Sequence, residues 1–185
     1  KEKNNSIEIY NKDALSLPIW KLGSGSREVI ANLPYNISTK ILINLLKNSS
    51  QFSKLTMMFQ KEVANRIIAK PGSKPYSRLS VITQLKAKTK ILFDIPDTAF
   101  FPKPKVQSSL VQFIPYENKK QNFDFEKMEE LTRFVFAKKR KMLRTIFKKE
   151  GGSSFLNSIN VDPNIRPENL TLEEFCKLEF ALRQY

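Results

Sequence analysis

Histidine is absent from this chain of 185 residues, and cysteine occurs only once, at Cys176. The lack of histidine excludes Ser-His and Cys-His catalysis, together with metal sites built on histidine. No cluster of carboxylates indicates a metal either, so we expect no metal site. A single cysteine excludes an internal disulfide and is typical of a reducing compartment, from which we expect a cytoplasmic protein. Any chemistry must therefore rest on hydrogen bonds and positioning.

Acidic residues and long apolar runs are also scarce. The chain has 18 Asp and Glu against 32 Lys and Arg, which gives a net charge of +14. Such a balance favours nucleic acid or an anionic membrane as partner. No apolar run approaches the ~18 residues that a membrane-spanning helix needs. The chain begins Lys1-Glu2-Lys3, without an initiator Met or the apolar core of a signal peptide.

Strand-like and helix-like segments alternate through the first two thirds of the chain, which predicts an α/β fold with a largely parallel sheet. Ser38 is a plausible N-cap of the first helix. From Glu117 the sequence turns polar and then helical in its period, so we place an α/β domain at 1–118 and a small all-α domain at 123–185. The predicted strands are 7–10, 27–31, 55–59, 89–94 and 109–114, and the predicted helices are 38–47, 61–69 and 77–85.

Residues 137–149, the basic segment, combine seven cations with four apolar residues at helical spacing. This pattern predicts a helix with one packed face and one positive face. A charge run is usually a solvated face, but like charges at this density repel one another unless a polyanion is near. We therefore predict contact with RNA phosphates, and a membrane surface is the weaker alternative. The cations predicted to bind RNA are Lys138, Lys139, Arg140, Lys141, Arg144 and Lys148.

Residues 32–35, Asn-Leu-Pro-Tyr, close an apolar strand with groups that suit a flat amine. Pro34 fixes its own φ and keeps the preceding residue extended, which holds the Leu33 carbonyl in place. Asn32 adds a second hydrogen-bond acceptor, and Tyr35 adds a ring for stacking. Ligands bind at the carboxyl ends of strands in an open α/β sheet. We interpret the stretch as a pocket for the exocyclic amine of a nucleobase, with a simple turn as the alternative.

Residues 32–39 resemble the substrate-amine motif of the ribosomal RNA adenine N6-methyltransferases. Residues 100–109 are similar to that family's Phe-x-Pro-x-Pro-Lys-Val segment, and 60–66 and 76–81 to two further segments. Residues 166–171 resemble the C-terminal domain of one branch, the small-subunit rRNA adenine dimethyltransferases (KsgA type). The ordered motifs cover nearly the whole chain. At one position the chain departs from the pattern, since Gln107 stands where close relatives often have Asp or Asn.

The resemblance implies a class I, Rossmann-like methyltransferase domain that uses S-adenosylmethionine as methyl donor. Asn32 and Leu33 would accept the two hydrogens of the adenine N6 amine, in the turn that Pro34 shapes. Tyr35 would stack on the target base and Phe100 would contact its other face, as expected when a base leaves its stack. Core packing is the alternative for Phe100. Lys103 and Lys105 of the second motif would extend the RNA surface towards the base.

The resemblance also implies a cofactor contact at Asp13, whose carboxylate would accept a hydrogen bond from the adenine amine of S-adenosylmethionine. The backbone of Ala14 would lie beside it, and Asn32 would face the cofactor as well. A turn after a strand is the alternative for Asp13. Class I methyltransferases place a Gly-rich cofactor loop two strands earlier, so we expect the chain to be the C-terminal portion of a longer enzyme, or a remnant of one. We then expect it to bind the cofactor poorly or not at all.

By resemblance, the expected function is dimethylation of N6 of two adjacent adenosines in a small-subunit rRNA hairpin during ribosome biogenesis. The expected partner is that rRNA or a precursor of the subunit, with a monomeric protein and no membrane. One alternative is a resistance methyltransferase that acts on large-subunit rRNA, against which Leu33 and residues 166–171 argue. The other alternative is a non-catalytic RNA-binding or ribosome-assembly module.

Overall fold

The computed structural model describes residues 7–117 and 123–184. An α/β part comes first, and helices without strands follow from Phe125 onwards, as the sequence predicts. The strands are β1 (Arg27–Asn32), β2 (Phe52–Gln60), β3 (Ala87–Ile95) and β4 (Ser108–Pro115). The α-helices are α1 (Tyr35–Lys47), α2 (Lys61–Ile68), α3 (Arg78–Lys86), α4 (Phe125–Phe136), α5 (Leu143–Ile146), α6 (Ser153–Ser158) and α7 (Leu172–Leu182).

The four strands form one sheet in the order β1-β2-β4-β3. β1 and β2 are parallel because α1 carries the chain back between them, whereas β4 runs antiparallel to both β2 and β3. The prediction of a largely parallel sheet is therefore wrong for the described residues. The loop 96–107 joins β3 directly to β4, and neighbours joined without a crossover helix pair antiparallel.

The strand predicted at 7–10 does not form, and these residues are exposed outside any sheet. Ile7 is 84% exposed and Ile9 90%. Alternating side chains alone do not make a strand, since its backbone N–H and C=O groups need a paired neighbour. No strand of the described residues pairs with this segment.

The helix after β1 begins at Tyr35, three residues earlier than predicted, and its N-cap is Pro34. Ser38 lies inside the first turn, where its hydroxyl donates to the Tyr35 carbonyl at 3.0 Å, so the prediction of Ser38 as N-cap is wrong. The Pro34 carbonyl instead accepts from the backbone N–H groups of Ile37 and Ser38. A proline suits a helix start because its φ is already fixed. It also lacks a backbone N–H, and an N–H at this position would have no acceptor within the helix.

One continuous hydrophobic cluster reaches from α1 to α7. The ring of Tyr76, before α3, packs edge-on against Phe136 of α4 at 6.0 Å between centroids, and Phe136 stacks on Phe175 of α7 at 5.8 Å. Arg78 also forms an ion pair with Glu129 across the same junction. The division into two domains at 118 and 123 stays a prediction, since one core serves both parts.

The basic segment is not a continuous helix. α4 ends at Phe136, residues 137–140 form a turn, Leu143–Ile146 form the short α5, and a 3-10 turn follows at Lys148–Glu150. The backbone N–H groups of Leu143 and Arg144 donate to the carbonyls of Ile165 and Pro163, at 2.9 and 3.0 Å, and are thereby taken from a helical ladder. Of the predicted apolar face, Met142 is 38% exposed and the others are buried.

Candidate active site

A pocket of about 240 Å³ lies at the carboxyl ends of β1 and β2. The five residues predicted to handle a base all line it, although the loop carrying Phe100 is far from residues 32–35 in sequence. Their roles stay predictions. The pocket wall also contains Met58 of β2 and three further residues of the loop 96–107, and most of the lining side chains are aromatic or proline. The lining residues are Asn32, Leu33, Pro34, Tyr35, Met58, Phe100, Phe101, Pro102 and Pro104.

Two hydrogen-bond acceptors in this pocket are free. The Asn32 side chain is exposed at the end of β1, and the Leu33 carbonyl follows it. Neither group has a hydrogen-bond partner among the described residues, whereas the next carbonyl, that of Pro34, is bound by the first turn of α1. The break between β1 and α1 therefore leaves two adjacent acceptors open to a ligand that carries two N–H groups.

The side chain of Tyr35 is hydrogen-bonded to β4. Its hydroxyl lies 2.6 Å from the hydroxyl of Ser108, the first residue of β4, across 73 residues of sequence. Ser108 is completely buried. Sequence reasoning missed this partner, because Ser108 appeared only as part of the Phe-x-Pro motif. It also missed Met58 and the exposed ring of Phe101, which is 102% exposed at the pocket rim.

The end of the loop 96–107 is tied to the start of α2. The Lys61 ammonium lies 2.8 Å from a carboxylate oxygen of Asp94 and donates to the Gln107 side chain at 3.2 Å. Asp94 also accepts from Ser109 at 2.6 Å. Hydrogen bonds from Lys61 and Ser109 hold the pKa of the Asp94 carboxyl below its usual value. Lys61 therefore links Gln107, at the end of the loop, to Asp94 of β3.

Asp13 makes a local turn. One of its carboxylate oxygens accepts from the Leu15 N–H at 2.9 Å, and its carbonyl accepts from Ser16 and Leu17. Asp13 and Ala14 are not among the residues that line the pocket. The second carboxylate oxygen has no partner within residues 7–117 and 123–184, so it remains able to accept from an amine. The turn geometry alone explains an Asp here, and the predicted contact with a cofactor stays a prediction.

The predicted RNA-binding cations are exposed, with one exception. Lys138 is half-buried, and its ammonium lies 3.8 Å from the centre of the Phe134 ring. Arg144 hydrogen-bonds Asn164, and Lys103 lies 3.1 Å from a carboxylate oxygen of Asp97. Among the described residues, neither Lys105 nor any cation of the basic segment has a carboxylate partner. Of the predicted RNA-binding cations, those that also have no other hydrogen-bond or ring partner there are Lys105, Lys139, Arg140, Lys141 and Lys148.

Residues 138–141 of the basic segment, the basic turn, also border a groove of about 750 Å³ on the side of α2. Lys139 lies on one wall of the groove, and Arg66 and Lys74 lie among its other lining residues. Arg66 is paired with Glu62 one turn earlier on α2. Positive side chains thus extend from the basic segment onto the α/β part, a layout that suits a polyanion larger than a single phosphate.

Within residues 7–117 and 123–184, no three side chains of the metal-ligating types come together. None of the helices in these ranges is both long and apolar enough to cross a membrane.

A family model described as "Ribosomal RNA adenine dimethylase" matches residues 1–184. The ribosomal RNA small subunit methyltransferase A of Gluconobacter oxydans is 40% identical over 172 residues, which are 93% of this chain and 57% of that protein. The protein of the same name from Paramagnetospirillum magneticum is 41% identical over 177 residues, or 95% of this chain and 63% of its own length. The chain thus spans less than two thirds of these two relatives.

A solved structure shares the fold as well. The crystal structure of a dimethyladenosine transferase from Plasmodium falciparum superposes with a TM-score of 0.82 at 27% sequence identity. The match covers 97% of this chain and 74% of that one. The mixed sheet and the helices that follow it are therefore those of a Rossmann-like methyltransferase fold with a helical C-terminal part.

Proposed function

Because the chain belongs to the ribosomal RNA adenine dimethylase family, we propose that it forms the target-base pocket and an RNA-binding surface for N6-dimethylation of adenosine. The substrate is a small-subunit rRNA hairpin with two adjacent adenosines, each methylated twice. The names of the two relatives favour the small subunit over the large one. The protein acts as a monomer in the cytoplasm, without a membrane partner.

Methyl transfer needs the lone pair of the adenine N6 amine as nucleophile. In free adenine this lone pair is delocalised into the ring and is a poor nucleophile. Hydrogen bonds from the two amine hydrogens to the Asn32 Oδ1 and the Leu33 carbonyl favour a pyramidal nitrogen with its lone pair outside the ring plane. The same two oxygens stabilise the positive charge that develops on the nitrogen as the new bond forms. The two free acceptors after β1 are the observation that carries this proposal.

Aromatic side chains hold the base once it has left its stack. Tyr35 and Phe100 line the same small pocket, and each has a part-exposed ring. Stacking on such rings offsets part of the cost of unstacking, at about 1–3 kcal/mol per base. Phe101 adds a third ring at the rim.

S-adenosylmethionine supplies the methyl group when it is bound. The free carboxylate oxygen of Asp13 would accept a hydrogen bond from the adenine amine of the cofactor, with the Ala14 backbone beside it, and Asn32 would face the cofactor as well. We expect weak cofactor binding by this chain, and calorimetric titration of S-adenosylmethionine measures it directly. One-to-one binding with a Kd near 1 μM would contradict that expectation and leave the base pocket unaffected.

The base pocket is tested by a binding assay that does not depend on the cofactor. Fluorescence anisotropy compares two hairpins, one with adenosine at the two target positions and one with purine riboside, which lacks the 6-amine. We expect the adenosine hairpin to bind about 10-fold more tightly, the equivalent of roughly one to two hydrogen bonds. Asn32→Ala should lower the preference to about what the remaining Leu33 carbonyl supplies, roughly one hydrogen bond, without weakening the binding of the purine hairpin.

Asn36→Ala is the matched control, because Asn36 is an exposed amide on α1 that does not line the pocket. It should keep the full preference for adenosine. Equal affinities of the wild type for the two hairpins would refute the amine pocket. If RNA binding were otherwise tight, the non-catalytic RNA-binding module would then be the better account. A preference for a large-subunit hairpin over the small-subunit one would favour the resistance-type alternative.

A further inference from the structure

The contact between Tyr35 and Ser108 joins the two sides of the base pocket. Tyr35 is the first residue of α1, and Ser108 is the first residue of β4, directly after the loop that carries Phe100. Their hydroxyl oxygens are 2.6 Å apart, a normal length for an O–H···O hydrogen bond. This bond links the wall formed by residues 32–35 to the strand that anchors the opposite wall.

Ser108 is a rigid anchor. β4 lies between β2 and β3, and Ser108 stands opposite Gln60 on one side and Ile95 on the other. Its side chain is completely buried, so solvent does not compete for its hydroxyl. Tyr35 is only half-buried, and its ring faces an open pocket. The buried hydroxyl of Ser108 is therefore the fixed end of the bond, and it restrains the position of the Tyr35 ring.

We propose that Ser108 is a positioning residue, which holds the Tyr35 ring by its hydroxyl at the angle needed for a base to lie flat and reach Asn32 and Leu33. This inference rests on the proposed function, because it assigns Tyr35 to the target base. A tyrosine ring has two side-chain torsions, and a hydrogen bond at the far end of the ring restrains both. Without it the ring turns within the open pocket, and the amine no longer meets both acceptors.

The bond can be removed from either side. Ser108→Ala and Tyr35→Phe each delete one hydroxyl, and each should lower the preference for the adenosine hairpin over the purine hairpin by about 5-fold, the equivalent of one hydrogen bond. The double variant should lose no more than either single variant, because both remove the same interaction. Ser108→Thr, which keeps the hydroxyl, should restore the preference.

Ser109→Ala is the matched control. Ser109 is the next residue of β4 and is equally buried, but its hydroxyl donates to Asp94 and not to Tyr35. Its preference for adenosine should equal that of the wild type. In the same set, tyrosines labelled with ¹³C in the ring give an NMR signal for Tyr35, identified by its loss in Tyr35→Phe. That signal should move in Ser108→Ala and stay in place in Ser109→Ala.

A wild-type preference in Ser108→Ala, or additive losses in the double variant, would overturn the positioning role and leave the proposed function standing. Absence of any preference in the wild type would refute the proposed function and this role together. If Ser108→Ala does not fold, as judged by circular dichroism, Tyr35→Phe tests the same bond from the half-exposed side. A full preference in Tyr35→Phe would again overturn the inference.

Discussion

The number of RNA phosphates that the basic turn contacts can be predicted from which of its cations have no partner within the protein. Lys139, Arg140 and Lys141 are exposed and have no carboxylate partner among the described residues. Lys138 is different, since its ammonium lies over the Phe134 ring at 3.8 Å. A cation in that position already interacts with the ring and is less available to a phosphate. We therefore expect three phosphate contacts from this turn and none from Lys138.

The expected change is in the dependence of RNA affinity on salt. Each phosphate neutralised by a protein cation releases counterions and contributes about 0.7 to 0.9 to the slope of log K against log salt concentration. Replacing Lys139, Arg140 and Lys141 by Gln should therefore reduce the slope by about 2 to 3. Lys138→Gln should change it by less than about 0.5, on the same scale.

Anisotropy titrations of a hairpin between 50 and 200 mM salt, roughly the range in which such contacts are lost, measure the slope. A charge-matched control removes three lysines that are each paired with a glutamate, and it should leave the slope nearly unchanged. These are Lys54, Lys127 and Lys177. An unchanged slope in the triple basic-turn variant would mean that these cations are solvated and do not contact RNA phosphates. An equal effect in the control would mean that net charge, and not position, determines binding.

Three further predictions concern single side chains. The Tyr76 hydroxyl is buried without a partner in the described residues, so Tyr76→Phe should raise the free energy of unfolding by about 1 kcal/mol in a urea titration; destabilisation would mean that the hydroxyl is bonded. Phe101→Ala should leave that free energy within about 0.5 kcal/mol, since the ring is fully exposed, yet weaken hairpin binding. Burial raises the pKa of the Glu179 carboxyl above its usual value, so the folded state binds a proton that the unfolded state has already lost. The stability that this carboxyl contributes is therefore complete below the pKa of the unfolded chain and is lost as pH rises through the pKa of the folded protein. Glu179→Gln should lose less stability than the wild type as pH rises through and above the usual carboxyl range, and identical pH profiles would contradict the shift.

The pocket was predictable where its residues are close in sequence or carried by a family motif. Asn32, Leu33, Pro34 and Tyr35 are consecutive, so the end of one strand brings them together whatever the rest of the chain does. Phe100 was predicted to lie at the base because of the family resemblance, and in the structure it lines the same pocket. The partner of Tyr35 was not predictable, because a serine 73 residues away has no local signal that points to it.

Two of the errors share one physical cause, which is that local pattern competes with tertiary partners. Residues 7–10 alternate like a strand, but a strand requires a neighbour to pair with. The apolar spacing in the basic segment is helical, yet Leu143 and Arg144 give their N–H groups to residues 163–165 and break the helix. A helix start at Tyr35 was missed because a side-chain cap seemed necessary where Pro34 suffices.

The methionine in the pocket wall places an oxidisable sulfur beside the base site. Met58 is only 7% exposed on β2, and its thioether helps to line the space beside the aromatic rings. Conversion to the sulfoxide replaces a soft apolar sulfur by a polar, chiral group. A purine would then meet an S–O dipole where it now meets a polarizable surface. Oxidation of this one side chain would thus change both the surface that a base meets and the packing of β2 behind it.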